Sequence, residues 1–202
     1  ASQKRGEERL ETHIKSLYQT RCSICHQEIQ ASAFLWRRTE ATPYARVYRC
    51  PHCGDEGERA ITEEDLARLQ PIIRGEKVHR ARAISKVLTE DQEDRTAVEE
   101  ALKVYSPRAL YLLFTLLNKI EGMYLTNEDR SHLQALMISL LDAGTSLWPW
   151  PATLEASHQL TLPQEFVEKN LWIELEGAVN LWAQPSTGVE CTLWPKLPLQ
   201  AG

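Results

Sequence analysis

Two cysteine pairs, Cys22-Ser23-Ile24-Cys25 and Cys50-Pro51-His52-Cys53, carry the clearest chemistry in the sequence, with 24 residues between Cys25 and Cys50. Each CxxC sets two thiols on one tight turn. Two such turns complete a tetrahedral shell of four sulfurs, the donor set that suits Zn²⁺. Gly54 follows the second pair, where a knuckle needs a residue that accepts positive φ. Four thiolates fill every position around a tetrahedral ion, so the spacing implies a structural metal and not a Lewis acid. The competing reading is two unrelated reduced pairs. His26 and His52 offer alternative ligands, but beside four thiolates they read as neighbours of the sulfurs or as exposed side chains.

A second chemical pattern lies between the pairs. Arg37, Arg38, Arg46 and Arg49 are interleaved with Phe34, Trp36, Tyr44 and Tyr48. On adjacent strands, Arg37, Arg38, Arg46, Arg49, Trp36 and Tyr48 would form a basic and aromatic face able to track phosphates and stack bases. Equally, the aromatics would fill a small core while the arginines solvate its outside, and residue types alone leave both readings open.

Other candidates are weaker. Large aromatics in the Leu147-Trp148-Pro149-Trp150-Pro151 stretch read as a cap over a core in preference to a stacking platform. Asn170 and Glu174 lie one helical turn apart, as a catalytic pair would, but nothing converges on them and they read as surface. The chain has no glycine-rich phosphate loop, no GxSxG and no HExxH.

The elements that must position the cysteines follow from periodicity. Leu10, Ile14, Leu17 and Tyr18 form an apolar stripe over a helix at 4–19, and this reads as packed on the fold and not as a free arm. Residues 33–38 and 45–49 read as strands joined around Pro43, the second delivering Cys50, and 55–60 as a third. About forty residues cannot build a sufficient core, so a metal would supply the staple. Thr62 with acidic first-turn residues caps a short helix that should stop at Pro71. Charged helices are expected at 79–88 and 91–104, their charges read as a solvated face. Ser106-Pro107 opens a helix with Leu110, Leu113, Phe114, Leu117 and Ile120 on one stripe, ended by Gly122. Thr126 with Asp129 starts the next, with Leu133, Leu136, Met137, Leu140 and Leu141, ended by Gly144. A last helix is expected from 163 to 182. The predicted class is α+β: a β-rich zinc ribbon and a mainly α-helical body. Its divisions are an N-terminal helix (1–20), the ribbon (21–61), a charged helical connector (62–104), the body (105–184) and a proline-rich tail (185–202).

Composition narrows the function classes. Hydrophobic residues make up 43% of the 202 residues and the net charge is −5, so the whole chain is no generic polyanion binder. Residues 21–49 carry five arginines against Glu28 and Glu40, whereas 105–202 carry five basic and ten acidic residues. Of the two halves, the ribbon is the one fitted to nucleic acid. Neither a signal sequence nor a membrane-length apolar run is present, and Cys191 is a lone fifth cysteine. A reducing, cytoplasmic setting with thiolate-bound zinc is therefore expected.

The helix running through Leu10-Glu11-Thr12-His13-Ile14 into Cys22, the later Tyr105-Ser106-Pro107-Arg108-Ala109-Leu110-Tyr111-Leu112-Leu113-Phe114-Thr115-Leu116-Leu117-Asn118-Lys119 segment, the Leu147-Trp148-Pro149-Trp150-Pro151 stretch and Phe166-Val167-Glu168-Lys169-Asn170-Leu171-Trp172 form an ordered set. Across about residues 8 to 182 it resembles the zinc-ribbon-containing region of bacterial DNA amino-methyltransferase-like proteins. In that family the S-adenosylmethionine loop precedes this region and a Pro-Pro-Tyr-type motif follows it. Neither motif occurs here, so the chain resembles an insert or recognition region separated from its catalytic core. The resemblance implies DNA target recognition without methyl transfer by this chain alone. The alternative expectation is a scaffold whose helical half docks on a methyltransferase or nuclease partner.

Overall fold

The computed structural model describes residues 10–88, 95–151 and 162–183. Leu10 and Ile14 lie on α1 (Leu10–Ser16), which stops short of the expected residue 19; Tyr18 falls in the tight turn that leads into β1 (Gln19–Arg21). Ile14 and Tyr18 are buried, so this helix packs on the fold as expected. β1 pairs antiparallel with β2 (Glu28–Gln30), a small hairpin that periodicity did not reveal. Three-residue strands are too short to show alternation.

β3 (Ala33–Arg37), β4 (Ala45–Arg49) and β5 (Glu56–Ala60) form the expected ribbon strands. Their sheet has a fourth member. β6 (Glu165–Lys169) pairs antiparallel with β3, giving the order β5-β4-β3-β6. This corrects the helix expected from residue 163. Phe166 and Glu168 alternate inward, and the open edge of β3 gives the segment a hydrogen-bonding partner that a helix could not use. Trp36 faces Phe166 across the pair, with their rings stacked at 6.1 Å. The Trp-Pro-Trp-Pro stretch runs along the far side of β6, where the Trp150 amide donates to Glu165 and the Val167 amide to Trp148. It covers the edge of the sheet at β6, where a cap over a core was expected.

Asn170 ends β6 and caps α6 (Leu171–Ala183). Its Nδ2 donates to the Ala31 carbonyl and its Oδ1 accepts from the Trp172 amide. It is buried, not on the surface, and its work is structural.

The other large correction is α2 (Glu63–Val87), a single 25-residue helix that continues through Pro71. Thr62 and Asp65 form the expected capping box. A proline in a helix interior costs about 3 kcal/mol. Leu69 and Ile72, on either side of it, are both buried in the main core, and that packing outweighs the break. The helix expected at 79–88 is the second half of α2. α3 (Arg95–Leu102) occupies part of the expected 91–104 segment.

α4 (Pro107–Glu121) and α5 (Asn127–Ala143) start and stop where the sequence indicated, on Ser106, Gly122, Thr126 and Gly144. The fold is thus α+β. Its main core joins Ile14 and Tyr18 of the N-terminal turn, Phe34 and Trp36 of β3, Leu69 and Ile72 of α2, and Leu112, Leu113 and Leu140 of α4 and α5. No described helix is long and apolar enough to cross a membrane. Cys191 and the proline-rich tail lie outside the described residues.

Candidate metal centre

The two knuckles have the same backbone pattern. The Cys22 amide donates to Gln27 and the His26 amide returns to Cys22; the Cys50 amide donates to Asp55 and the Gly54 amide returns to Cys50. His26, with φ of 58°, therefore occupies the place that Gly54 holds with φ of 78°. β1 and β2 flank the first knuckle, and β4 and β5 flank the second. The four Sγ atoms all lie within 4.8 Å of one another. Cys22 and Cys53 approach to 3.5 Å, and Cys25 and Cys50 to 3.6 Å. A tetrahedral ion with metal–sulfur bonds of about 2.3 Å needs sulfurs about 3.8 Å apart. The donor set and spacing fit such an ion, and all four predicted ligands come together. His26 and His52 are exposed and outside the cluster.

Cys22 and Cys50 are buried with Ile29 and Tyr48 in a small core of their own. In the metal-free thiols, burial pushes Cys22 up, but hydrogen bonds from the Cys25 and Ile24 amides and from Cys53 outweigh it and hold it at about 6. Cys53 receives a lowering bond from the Asp55 amide, yet burial and the neighbouring thiols push it up to about 12. An incoming cation must therefore displace protons as it binds.

Tyr48 ties the knuckles together. Its hydroxyl accepts from the Ser23 amide at 2.8 Å and donates to Asp55 at 2.7 Å. Asp55 also holds Arg59, and the Tyr48 bond together with Arg59 keeps its carboxyl below the usual range. Sequence reasoning cast Tyr48 as a stacking surface; burial makes it a strut instead.

The other members of the proposed basic and aromatic face also scatter. Arg46 is 2% exposed. Its Nη1 donates to Asp65 at 2.8 Å and to the Ala60 carbonyl, and its Nη2 donates to the Arg21 carbonyl at 3.0 Å. Trp36 is buried, with Nε1 donating to Glu168 at 2.5 Å. Arg38 donates to the carbonyls of Pro163 and Ser146. Arg37 and Arg49 remain exposed, each beside carboxylates: Glu40 and Glu165 for Arg37, Glu56 for Arg49. The six residues do not form one face. Strand alternation put the arginines on the sheet, but Asp65 of α2, which claims Arg46, Glu165 of β6, which pairs with Arg37, and the Pro163 and Ser146 carbonyls, which hold Arg38, are distant in sequence.

A buried polar network went unseen for the same reason. Glu168 accepts from Trp36 and from Ser106 at 2.8 Å, and lies 3.7 Å from Arg108, which is itself 1% exposed and stacked 4.0 Å from the Phe34 ring. Ser106 both caps α4 and donates to Glu168, so an acidic group sits at a helix N-terminus where the dipole favours it. This network fastens the sheet to the helices, and nothing in it is open for chemistry. Comparison with protein-family models, curated proteins and solved structures finds no match to the chain.

Proposed function

We propose that this chain is a zinc-stapled target-recognition module that contacts DNA on behalf of a methyltransferase-like catalytic unit. The observation that carries the reading is the closed shell of the cysteine cluster. One chain supplies all four thiolates, and the polar groups beside them, Tyr48, Asp55 and Arg59, are engaged with one another. Such a metal holds shape and leaves no position for water or substrate. Zinc is the ion in this reading because four thiolates in a tetrahedron suit it. DNA is the target because the ordered segments resemble the recognition region of DNA amino-methyltransferase-like proteins. Metal analysis of the purified chain should give about one zinc per chain. A labelled duplex should bind with an affinity that falls steeply with salt. Absence of duplex binding at low salt would end the DNA reading, and iron in place of zinc would end the zinc assignment.

A second reading, docking of the helical half on a catalytic partner, is favoured by the exposed Ile138 and Leu141 of α5. In that case changing both to Glu would abolish co-purification with the catalytic subunit while leaving DNA affinity unchanged.

A further inference from the structure

Most of the described cations of this acidic chain have a partner. Lys15, Arg21, Arg37, Arg46, Arg49, Arg59, Arg68, Arg80, Lys86, Arg95 and Lys103 all sit beside carboxylates. Among the described residues, Arg74, Lys77, Arg82 and Lys119 make no hydrogen bond or ion pair, and the first three project from one helix. Successive residues of a helix turn by about 100°. Arg74, Lys77, Val78, Ala81, Arg82 and Ser85 therefore share one side of α2, and all six are exposed. The opposite side carries Ile72 and Ala83, both buried. Glu76, the one carboxylate in this half of α2, points away from the exposed face and is taken by Arg80 at 2.7 Å.

We propose that this face of α2, and not the ribbon, is the surface that meets duplex DNA. The inference rests on the DNA-recognition reading above and assigns its contact. A solvated helix face normally interleaves both signs of charge, and elsewhere this chain does so. Here, among the described residues, three cations stand without a counter-charge, which leaves them available to phosphates. From Arg74 to Arg82 the helix rises about 12 Å. Over that length one DNA strand presents about three or four phosphates. Ala81 and Ser85 are small and let the helix approach the backbone closely. Among the described residues no aromatic side chain shares the face, so it offers charge without base stacking, which favours a duplex backbone over a single strand.

The test uses the full zinc-loaded chain and a short labelled duplex, with affinity read by fluorescence anisotropy between about 50 and 200 mM salt. Arg74→Glu, Lys77→Glu and Arg82→Glu are combined in one variant. All three side chains are exposed and unpartnered among the described residues, so helix content and zinc content should stay at wild-type levels. Duplex affinity should fall by about 10-fold to 100-fold, and three Ala substitutions should flatten the slope of log affinity against log salt by about 3. Arg37→Ala with Arg49→Ala should bind as wild type. If wild type binds and the α2 variant binds equally well, the surface assignment is overturned while the DNA reading stands. If wild type binds no duplex, or binds only an acidic polypeptide probe, both fall.

Discussion

Arg46 of β4 and Asp65 of α2 form an ion pair at 2.8 Å whose side chains are 2% and 0% exposed. The pair joins the strand that delivers Cys50 to the first turn of the longest helix. Asp65 also closes the capping box by accepting from the Thr62 amide at 3.0 Å. Removing one partner leaves the other charge buried, which costs about 3–5 kcal/mol. Asp65→Ala and Arg46→Met should each lower urea unfolding stability by about that amount. The double variant should lose less than the sum, because no unpaired charge remains. Additive losses would show that the two groups are not coupled.

The same pair sets a pH dependence. Burial pushes the Asp65 carboxyl up, but hydrogen bonds from Thr62 and the Arg46 charge outweigh it and hold it below the usual range. The folded value is thus lower than the unfolded one. The unfolded chain takes up its proton first as pH falls, so the stabilisation is full above about pH 4 and is lost through the lowered folded value. The stability difference between wild type and Asp65→Asn should be flat from pH 7 to about 5 and shrink below about 4. A difference that grows on acidification would contradict the assigned direction.

His26 and Gly54 hold equivalent places in the two knuckles, both at positive φ. A residue with a Cβ pays about 1–2 kcal/mol in the left-handed region. A Cβ on Gly54 would meet nothing within 4 Å, so the cost of Gly54→Ala is purely backbone conformation. That variant should lose about 1 kcal/mol or more and bind the metal more weakly. His26→Gly relieves the same strain but loosens the unfolded chain, so its stability should change by less than about 1 kcal/mol in either direction. A large loss of metal affinity in His26→Gly would instead make the imidazole a participant in the site.

The candidate metal centre was legible because its information is local: ligand type, spacing and a following glycine. The caps of α4 and α5 were legible for the same reason, since Ser106, Gly122, Thr126 and Gly144 act within a turn of themselves. What failed depended on distant partners. Val167 and Leu171 continue the apolar spacing of α6, and only the open edge of β3 turns residues 165–169 into a strand. Pro71 signals a stop that Leu69 and Ile72 override by packing against residues far along the chain. Arg46 looked like a surface cation because Asp65, its partner, was already accounted for as a cap.

Chelation should act less broadly than the sequence alone indicated. A ribbon stapled only by its metal would unfold over all of residues 21–60 before the helices when the ion is removed. The sheet changes that expectation. Phe34 and Trp36 belong to the main core and β3 is paired with β6, so this part of the ribbon is held by helices and not by the metal. Cys22, Ile29, Tyr48 and Cys50 form the separate small core that an ion on the four cysteines would staple. A chelator, or Cys22→Ser with Cys50→Ser, should therefore remove hydrogen-exchange protection from 19–30 and 50–57 while the amides of β3 and β6 stay protected. Acid should do the same at a higher pH than global unfolding, because protonated thiols release the ion. Cooperative loss of protection across β3, β6 and α4 on chelation would show that the metal stabilises the whole fold.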